Sequence, residues 1–254
     1  MAGLGHKLIV HFMRHAAALH KMNDETDVSI RDPGLSPKGE QQCKDFSDAF
    51  KGQENHIDCI LASPMTRVLQ TACSAFKEVI KPTKGGDGHT VIAMPQLQNL
   101  DSGINGTGLD PNELADRYNG VDWDKDRSGL PRGWVDTSFV QEGWNVKKPG
   151  KWSAEEVQWR LEYIQIFLQA IWVISGTGRC KTEVVIVTHG SLLRKLVNDV
   201  RFADAKLTHC VFSNDDGGFK EISKEELDIL RNLKSEDIET ELDDEAMREI
   251  ESPA

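Results

Sequence analysis

No apolar run in this 254-residue sequence approaches the roughly 20 residues that a membrane-spanning helix needs, so no membrane embedding is expected. Met1 to Gly5 lack a basic region followed by a long apolar stretch, and no secretory signal is expected. The cysteines (Cys43, Cys59, Cys73, Cys180 and Cys210) are scattered, odd in number and without a CxxC pair. That excludes a disulfide framework and offers no zinc-ligand spacing, which makes a reducing, cytoplasmic setting the default. No internal repeat is visible. No excess of basic charge is present: 30 Lys and Arg face 41 Asp and Glu, a formal net charge of -11. The acidic excess, gathered in the tail, repels nucleic acid and anionic lipid, so neither is an expected partner.

The acidity is unevenly placed. From Glu221 to the C-terminus there are 13 acidic and four basic side chains, a balance of -9 that leaves -2 for residues 1 to 220. We read 1–220 as one α/β domain and 221–254 as an acidic tail, helical or partly disordered.

Strand and helix patterns alternate along the body. Lys7 to Met13 is a short apolar run that reads as a buried strand, delivering Arg14-His15 at its end. Leu35-Ser36-Pro37 opens a helix to about Phe50, with Ser36 as cap and Pro37 in the first turn. Ile57 to Ala62 is a second strand, Ser63-Pro64 begins a helix to about Val79, and Thr90 to Met94 is a third strand. Lys81 to His89 is a loop. Residues 96–152 form an irregular insert containing Trp123, Trp134, Trp144 and Trp152, followed by a helix from about Ala154 to Ser175. Glu183 to Val187 is a further buried strand ending at Thr188-His189-Gly190, with a helix from Ser191 to about Val200. Asn214 to Gly218 (NDDGG) suits a hairpin turn. This alternation predicts a three-layer α/β sandwich: a mostly parallel central sheet with helices on both faces.

In open parallel sheets, ligands bind beyond the carboxyl ends of the strands. Two predicted strands finish in a histidine, His15 and His189, and a third runs into a helix carrying Arg67 one turn in. One histidine after a strand is ordinarily structural. Two of them, with Arg14 beside one, point to a site for an anion.

These residues carry a resemblance. Arg14-His15-Ala16 resembles the RHG signature of the histidine phosphatase superfamily, the phosphoglycerate mutase-like group. With His20 following, it is similar to the RHA-and-His pattern of the fungal phosphomutase-like branch. Asp32 to Gly39 resembles the family's DxxLTxxG segment, Ser63 to Ala72 its SPxxRxxQTA segment, and Thr188-His189-Gly190 its late histidine motif. More loosely, Phe212-Ser213-Asn214 resembles the strand that follows. Four motifs in order cover roughly residues 7 to 220.

The resemblance implies a phosphatase-type hydrolase acting on a small phosphorylated metabolite, with no metal and no cofactor. His15 would attack phosphorus and carry a phosphohistidine, a role neutral imidazole suits near pH 7. Arg14 and Arg67 would clamp the phosphoryl oxygens, since the guanidinium fork matches them and stays charged. His189 would donate a hydrogen bond when phosphate is bound, and the amide of Gly190 another.

The sequence departs from the family pattern where the proton-donating glutamate belongs. The segment reads Met94-Pro95-Gln96-Leu97-Gln98-Asn99, and Asn99 takes the glutamate's place. An amide cannot protonate a leaving oxygen. Asp101 is the expected substitute, unless it only caps a turn in Asp101-Ser102-Gly103; Asp110 is a weaker candidate. Ala17 and Ala18 replace polar residues. Lys21 either binds a second anionic group or is an exposed lysine. The indoles either anchor the insert to the core or line a cavity for a bulky substrate, and Arg132, Lys147 and Lys148 are further cations of the insert. Two alternatives to the phosphatase stay open: a repurposed biosynthetic enzyme on the same fold, performing elimination, hydrolysis or cyclisation of an anionic substrate, and a non-catalytic phospholigand-binding protein. Oligomeric state is not read from the sequence.

Overall fold

The computed structural model of the protein describes residues 6–21, 27–80, 89–119, 134–146, 154–176, 180–197, 202–213 and 217–232. Strand β1 spans Lys7–Arg14, and α1, Pro37–Phe50, follows it. Ser36 caps α1 as expected, its hydroxyl accepting the Gly39 amide at 3.2 Å. Next come β2 (Cys59–Ala62), α2 (Thr66–Ala75), the one-turn α3 (Lys77–Ile80), β3 (Val91–Ala93) and α4 (Pro111–Asn119). After β4 (Val135–Asp136) comes α5, Ala154–Ser175, with the bounds the sequence predicts. The remaining elements are β5 (Lys181–Thr188), α6 (Gly190–Leu196), β6 (Leu207–Phe212), β7 (Phe219–Ile222) and α7 (Lys224–Asn232).

Among the described residues the strands form one seven-stranded sheet in the order β4-β3-β2-β5-β1-β6-β7. Pairings from β4 to β1 are parallel; β6 and β7 are antiparallel at one side. β1 alternates between two cores: Leu8, Val10 and Phe12 pack with Ile164 and Leu168 of α5 and with α6, whereas Met13 joins the α1–α2 side. Helices thus cover both faces, and the expected three-layer sandwich is what the chain forms.

The local differences have physical reasons. The helix predicted from Ser63 begins later, at Thr66, because Asp32 rather than Ser63 caps it: the Asp32 carboxylate accepts the Thr66 amide at 2.9 Å and its hydroxyl at 2.7 Å. That helix also breaks at Phe76, whose ring sits edge-on to Phe46 and Phe50. Finally, β7 and α7 extend the folded body to Asn232, with Ile222 and Leu227 buried against Ile9. The acidic stretch is therefore part sheet and part helix up to that point; 233–254 lie outside the described residues. So does the middle of the hairpin turn, 214–216. The helix expected to reach about Val200 ends earlier, at Leu196, because Val197 is extended, its amide closing the last turn on Leu193 O. Among the described residues no helix is long and apolar enough to cross a membrane.

Candidate phosphate-binding site

Sheet register brings the motifs together. Arg14, the last residue of β1, lies level with Thr188, the last of β5, and the Ser63 amide bonds to Val187 on the other side. The residues that follow, His15 and His189, leave the sheet side by side with ring centroids 5.2 Å apart. α2 opens just past β2 and turns Arg67 toward both of them. Arg14, His15, Arg67 and His189 all line one cavity of about 380 Å³, as do Gly190, Asn99, Lys21 and Asp101.

The hydrogen bonds set the tautomers. His15 donates from Nδ1 to its neighbour's carbonyl, Ala16 O, at 2.8 Å, which leaves the Nε2 lone pair directed into the cavity. The Arg67 Nε–H points at that lone pair at 3.4 Å. Burial, then the Arg67 charge, holds the His15 imidazole well below its ordinary pKa, so it stays neutral and nucleophilic. Arg67 is 3% exposed and donates to Asn105 O at 2.9 Å and to His189 Nδ1 at 3.3 Å. Burial lowers it to about 10, still cationic at neutral pH. His189 Nε2 is 3.0 Å from the Ser63 hydroxyl. With Nδ1 accepting from Arg67, His189 here donates through Nε2; a phosphoryl group that drew Arg67 to itself would free Nδ1.

Arg14 is half-buried, its Nε 3.1 Å from Asp204, an ion pair that turns the rest of the guanidinium toward the cavity. Gly190 has a steric reason: a Cβ there would lie 3.3 Å from Arg14 Cδ and Nε and 3.5 Å from an Arg194 nitrogen.

The acid position matches the sequence departure. Asn99 is buried on the cavity wall, its Nδ2 donating to Asp101 O at 3.3 Å. Asp101 is exposed and accepts the Gly103 amide at 2.9 Å, so it caps the turn and also borders the cavity. Asp110 is not among the lining residues: it accepts from Asn145 at 2.7 Å and lies 3.6 Å from Arg31. Lys21 is exposed at the rim.

Sequence reasoning did not place His20, Asn105, Ser191 or Arg194 at the site, yet all four border the cavity. Arg194 lies one helical turn past Gly190, a spacing that put it within reach of a sequence argument. No described tryptophan borders this cavity. Trp144 is buried, its Nε1 donating to Leu109 O at 3.0 Å, which is the anchoring role. Trp144 and the half-exposed Trp159 line a separate cleft of about 600 Å³ with Phe139 and Tyr163. Trp123, Trp152, Arg132, Lys147 and Lys148 lie outside the described residues.

A sequence model of the Histidine phosphatase superfamily (branch 1) matches residues 10–211. The chain is 26% identical over 124 residues to a Schizosaccharomyces pombe protein named "Probable phosphatase", covering 48% of this chain and 55% of that protein. It is 32% identical over 75 residues to an Arabidopsis thaliana "Phosphoglycerate mutase-like protein", covering 26% and 28%. The chain thus matches little more than half the length of one curated relative and under a third of the other. A solved ecdysone phosphate phosphatase in complex with tungstate, from the silkworm Bombyx mori, superposes over 85% of this chain and 92% of its own, with 16% identity and a TM-score of 0.48.

Proposed function

Because this chain belongs to the histidine phosphatase superfamily, we propose that it is a phosphomonoesterase that hydrolyses a small phosphorylated molecule through a phosphohistidine on His15. One observation carries the reading: a neutral imidazole, its Nε2 lone pair free of a proton, stands in a cavity lined by the guanidinium groups of Arg14, Arg67 and Arg194 and by the imidazoles of His20 and His189. Phosphoryl transfer needs a nucleophile in line with the leaving oxygen and positive charge around the equatorial oxygens, and little else from the protein. Arg67 binds no carboxylate among the described residues, so its charge is available to a phosphoryl group. Arg14 supplies the second fork and the Gly190 amide lies beside it. No step in this scheme calls on a metal ion or cofactor.

The experiment is rapid-quench labelling with a ³²P-phosphomonoester under alkaline work-up. Wild type is expected to yield an acid-labile phosphohistidine, absent in His15→Ala, with turnover reduced by on the order of 10³ or more. A phosphate-releasing enzyme without such an adduct would overturn the reading. The amide at 99 favours a second reading, in which the same cluster binds a carboxylate or enolate and no phosphoryl moves. That version requires phosphate to inhibit competitively while no adduct forms.

A further inference from the structure

With Asn99 in the glutamate's place, the leaving oxygen needs another proton source. An alkoxide leaves poorly, and a positioned acid contributes on the order of 10² to 10⁴ in rate. Besides His15 and His189, the proton-carrying side chains that line the cavity are Lys21, Asp101 and His20, and Lys21 is exposed at the rim. Asp101 is exposed and already bonded to the Gly103 amide. His20 is different: it is 7% exposed, and neither ring nitrogen has a hydrogen-bond partner among the described residues, Nδ1 being sealed from solvent. Leaving a buried polar group unpaired is unfavourable, and binding a ligand would offset that cost.

Its placement follows from the backbone. After β1 the chain folds back: Ala18 bridges to Leu35, Leu19 N donates to Gly34 O and Lys21 N to Ala18 O, and Asp27 N caps His20 O at 2.8 Å. These bonds hold the imidazole over the cavity that His15 faces.

We propose that His20 is the general acid–base residue of this reaction, protonating the ester oxygen as His15 displaces it. The inference rests on the phosphohistidine reading above. His15 Nε2 forms a bond to phosphorus, and the phosphorus–oxygen ester bond breaks. The electron pair stays on the ester oxygen, which takes the His20 proton and leaves as an alcohol. Neutral His20 then accepts a proton from the water that attacks the phosphohistidine; phosphate departs and His15 regains its lone pair. The groups facing His20 are the Arg67 and Lys21 cations, the neutral His15 and the Asp101 carboxylate. Burial first, then the two cations, pushes His20 down to about 4, against the pull of Asp101. A phosphoryl group in the cavity reverses that balance, because its negative charge favours the imidazolium. The proton therefore arrives with the substrate.

The test compares single-turnover phosphorylation of His15 by an alkyl phosphate, glycerol 2-phosphate, with that by p-nitrophenyl phosphate, whose leaving group needs no acid. His20→Gln is expected to slow phosphorylation by glycerol 2-phosphate 10²- to 10⁴-fold and by the aryl ester at most about tenfold. His20→Asn guards against one variant failing to fold and should show the same split; His20→Glu, which restores a proton carrier, should recover at least tenfold on the alkyl ester. Equal losses on both esters, or the split appearing in Asp101→Asn and not at His20, overturns the assignment. Absence of any phosphohistidine in wild type sinks the His15 reading instead, so the two failures are distinguishable.

Discussion

Two clusters of histidine and arginine adjoin the same sheet, His11 within β1 and His15 just past its end, and they differ in how their charge is closed. At the strand ends, Arg67 bonds to a carbonyl and two imidazoles, and no carboxylate pairs with it among the described residues. In mid-sheet, His11 donates to or accepts from His209 at 2.8 Å and meets Glu183 at 2.9 Å. Arg231 of α7 grips the same Glu183 carboxylate through Nε and an Nη at 2.7 Å. The second cluster carries its own anion and needs nothing from outside. In the first, Arg14 pairs with Asp204 but Arg67 has no carboxylate among the described residues, so its charge is left open toward the cavity. On the proposed function, that unpaired buried guanidinium, more than residue type, is what separates the two clusters.

The sharpest test of that contrast exchanges the readouts. Arg67→Leu is expected to lower kcat/KM for a phosphomonoester by on the order of 10³, because transition-state charge loses its partner. Its stability loss should be smaller than that of Arg231→Leu, about 1–3 kcal/mol for the Asn105 carbonyl left without its donor, since no carboxylate loses a hydrogen-bonded partner. Arg231→Leu should do the reverse: a loss of about 3–5 kcal/mol from leaving Glu183 buried and under-compensated, with activity per folded molecule retained. Denaturant unfolding and steady-state kinetics on both variants check this. Equal destabilisation by the two would mean the clusters do not differ as described.

Acid unfolding sharpens the same point. The bonds from His11 and Arg231 outweigh burial and hold Glu183 at about 2, below the ordinary carboxylate value of 4.5. Stability from this group is therefore complete above pH 4.5 and lost as pH falls from about 5 toward 2, worth about 3 kcal/mol. His209, held near 4 by burial, acts in the same direction between pH 6.5 and 4, because there the unfolded chain binds the extra proton. Free energies of unfolding measured from pH 7 to 3 should decline in both windows, and Glu183→Gln should flatten the lower one. A wild-type profile level down to pH 3 would show that Glu183 is not held by these bonds.

The open cluster was far more legible in the sequence than the closed one. Arg14, His15, Arg67 and His189 stand at the ends of apolar runs, where strand periodicity stops and a backbone turn must follow. Such placement is visible in one dimension. His11 and Glu183 sit inside apolar runs, where alternation alone reads them as strand residues, and their partners His209 and Arg231 are nearly 200 and 50 residues away. Only the sheet order β5-β1-β6 makes them neighbours. The same blindness affected the acidic stretch after Glu221: composition reads it as solvated, but Leu227 and Arg231, on one helical face, face the sheet. His20 was visible as a motif residue, yet its burial and its bond-free ring depend on the fold-back of residues 16–21, which no spacing rule predicts. Asn99 and Asp101 both line the cavity, since a short loop after β3 leaves them little choice.

The smallest expected effect concerns how the open cluster keeps its geometry. Gly190 is the first residue of α6, where alanine is intrinsically favoured over glycine by up to about 1 kcal/mol. A Cβ at that position, however, meets Arg14 Cδ and Nε at 3.3 Å and an Arg194 nitrogen at 3.5 Å. Both contacts are with long side chains that can yield by a few tenths of an ångström, so the fold should lose nothing and Tm should hold or rise slightly. What must yield is the guanidinium that Asp204 aims into the cavity. Gly190→Ala should therefore weaken competitive inhibition by inorganic phosphate about three- to tenfold while leaving unfolding unaffected. A Tm drop without a change in phosphate affinity would place the role of this glycine in the helix, and would remove it from the anion site.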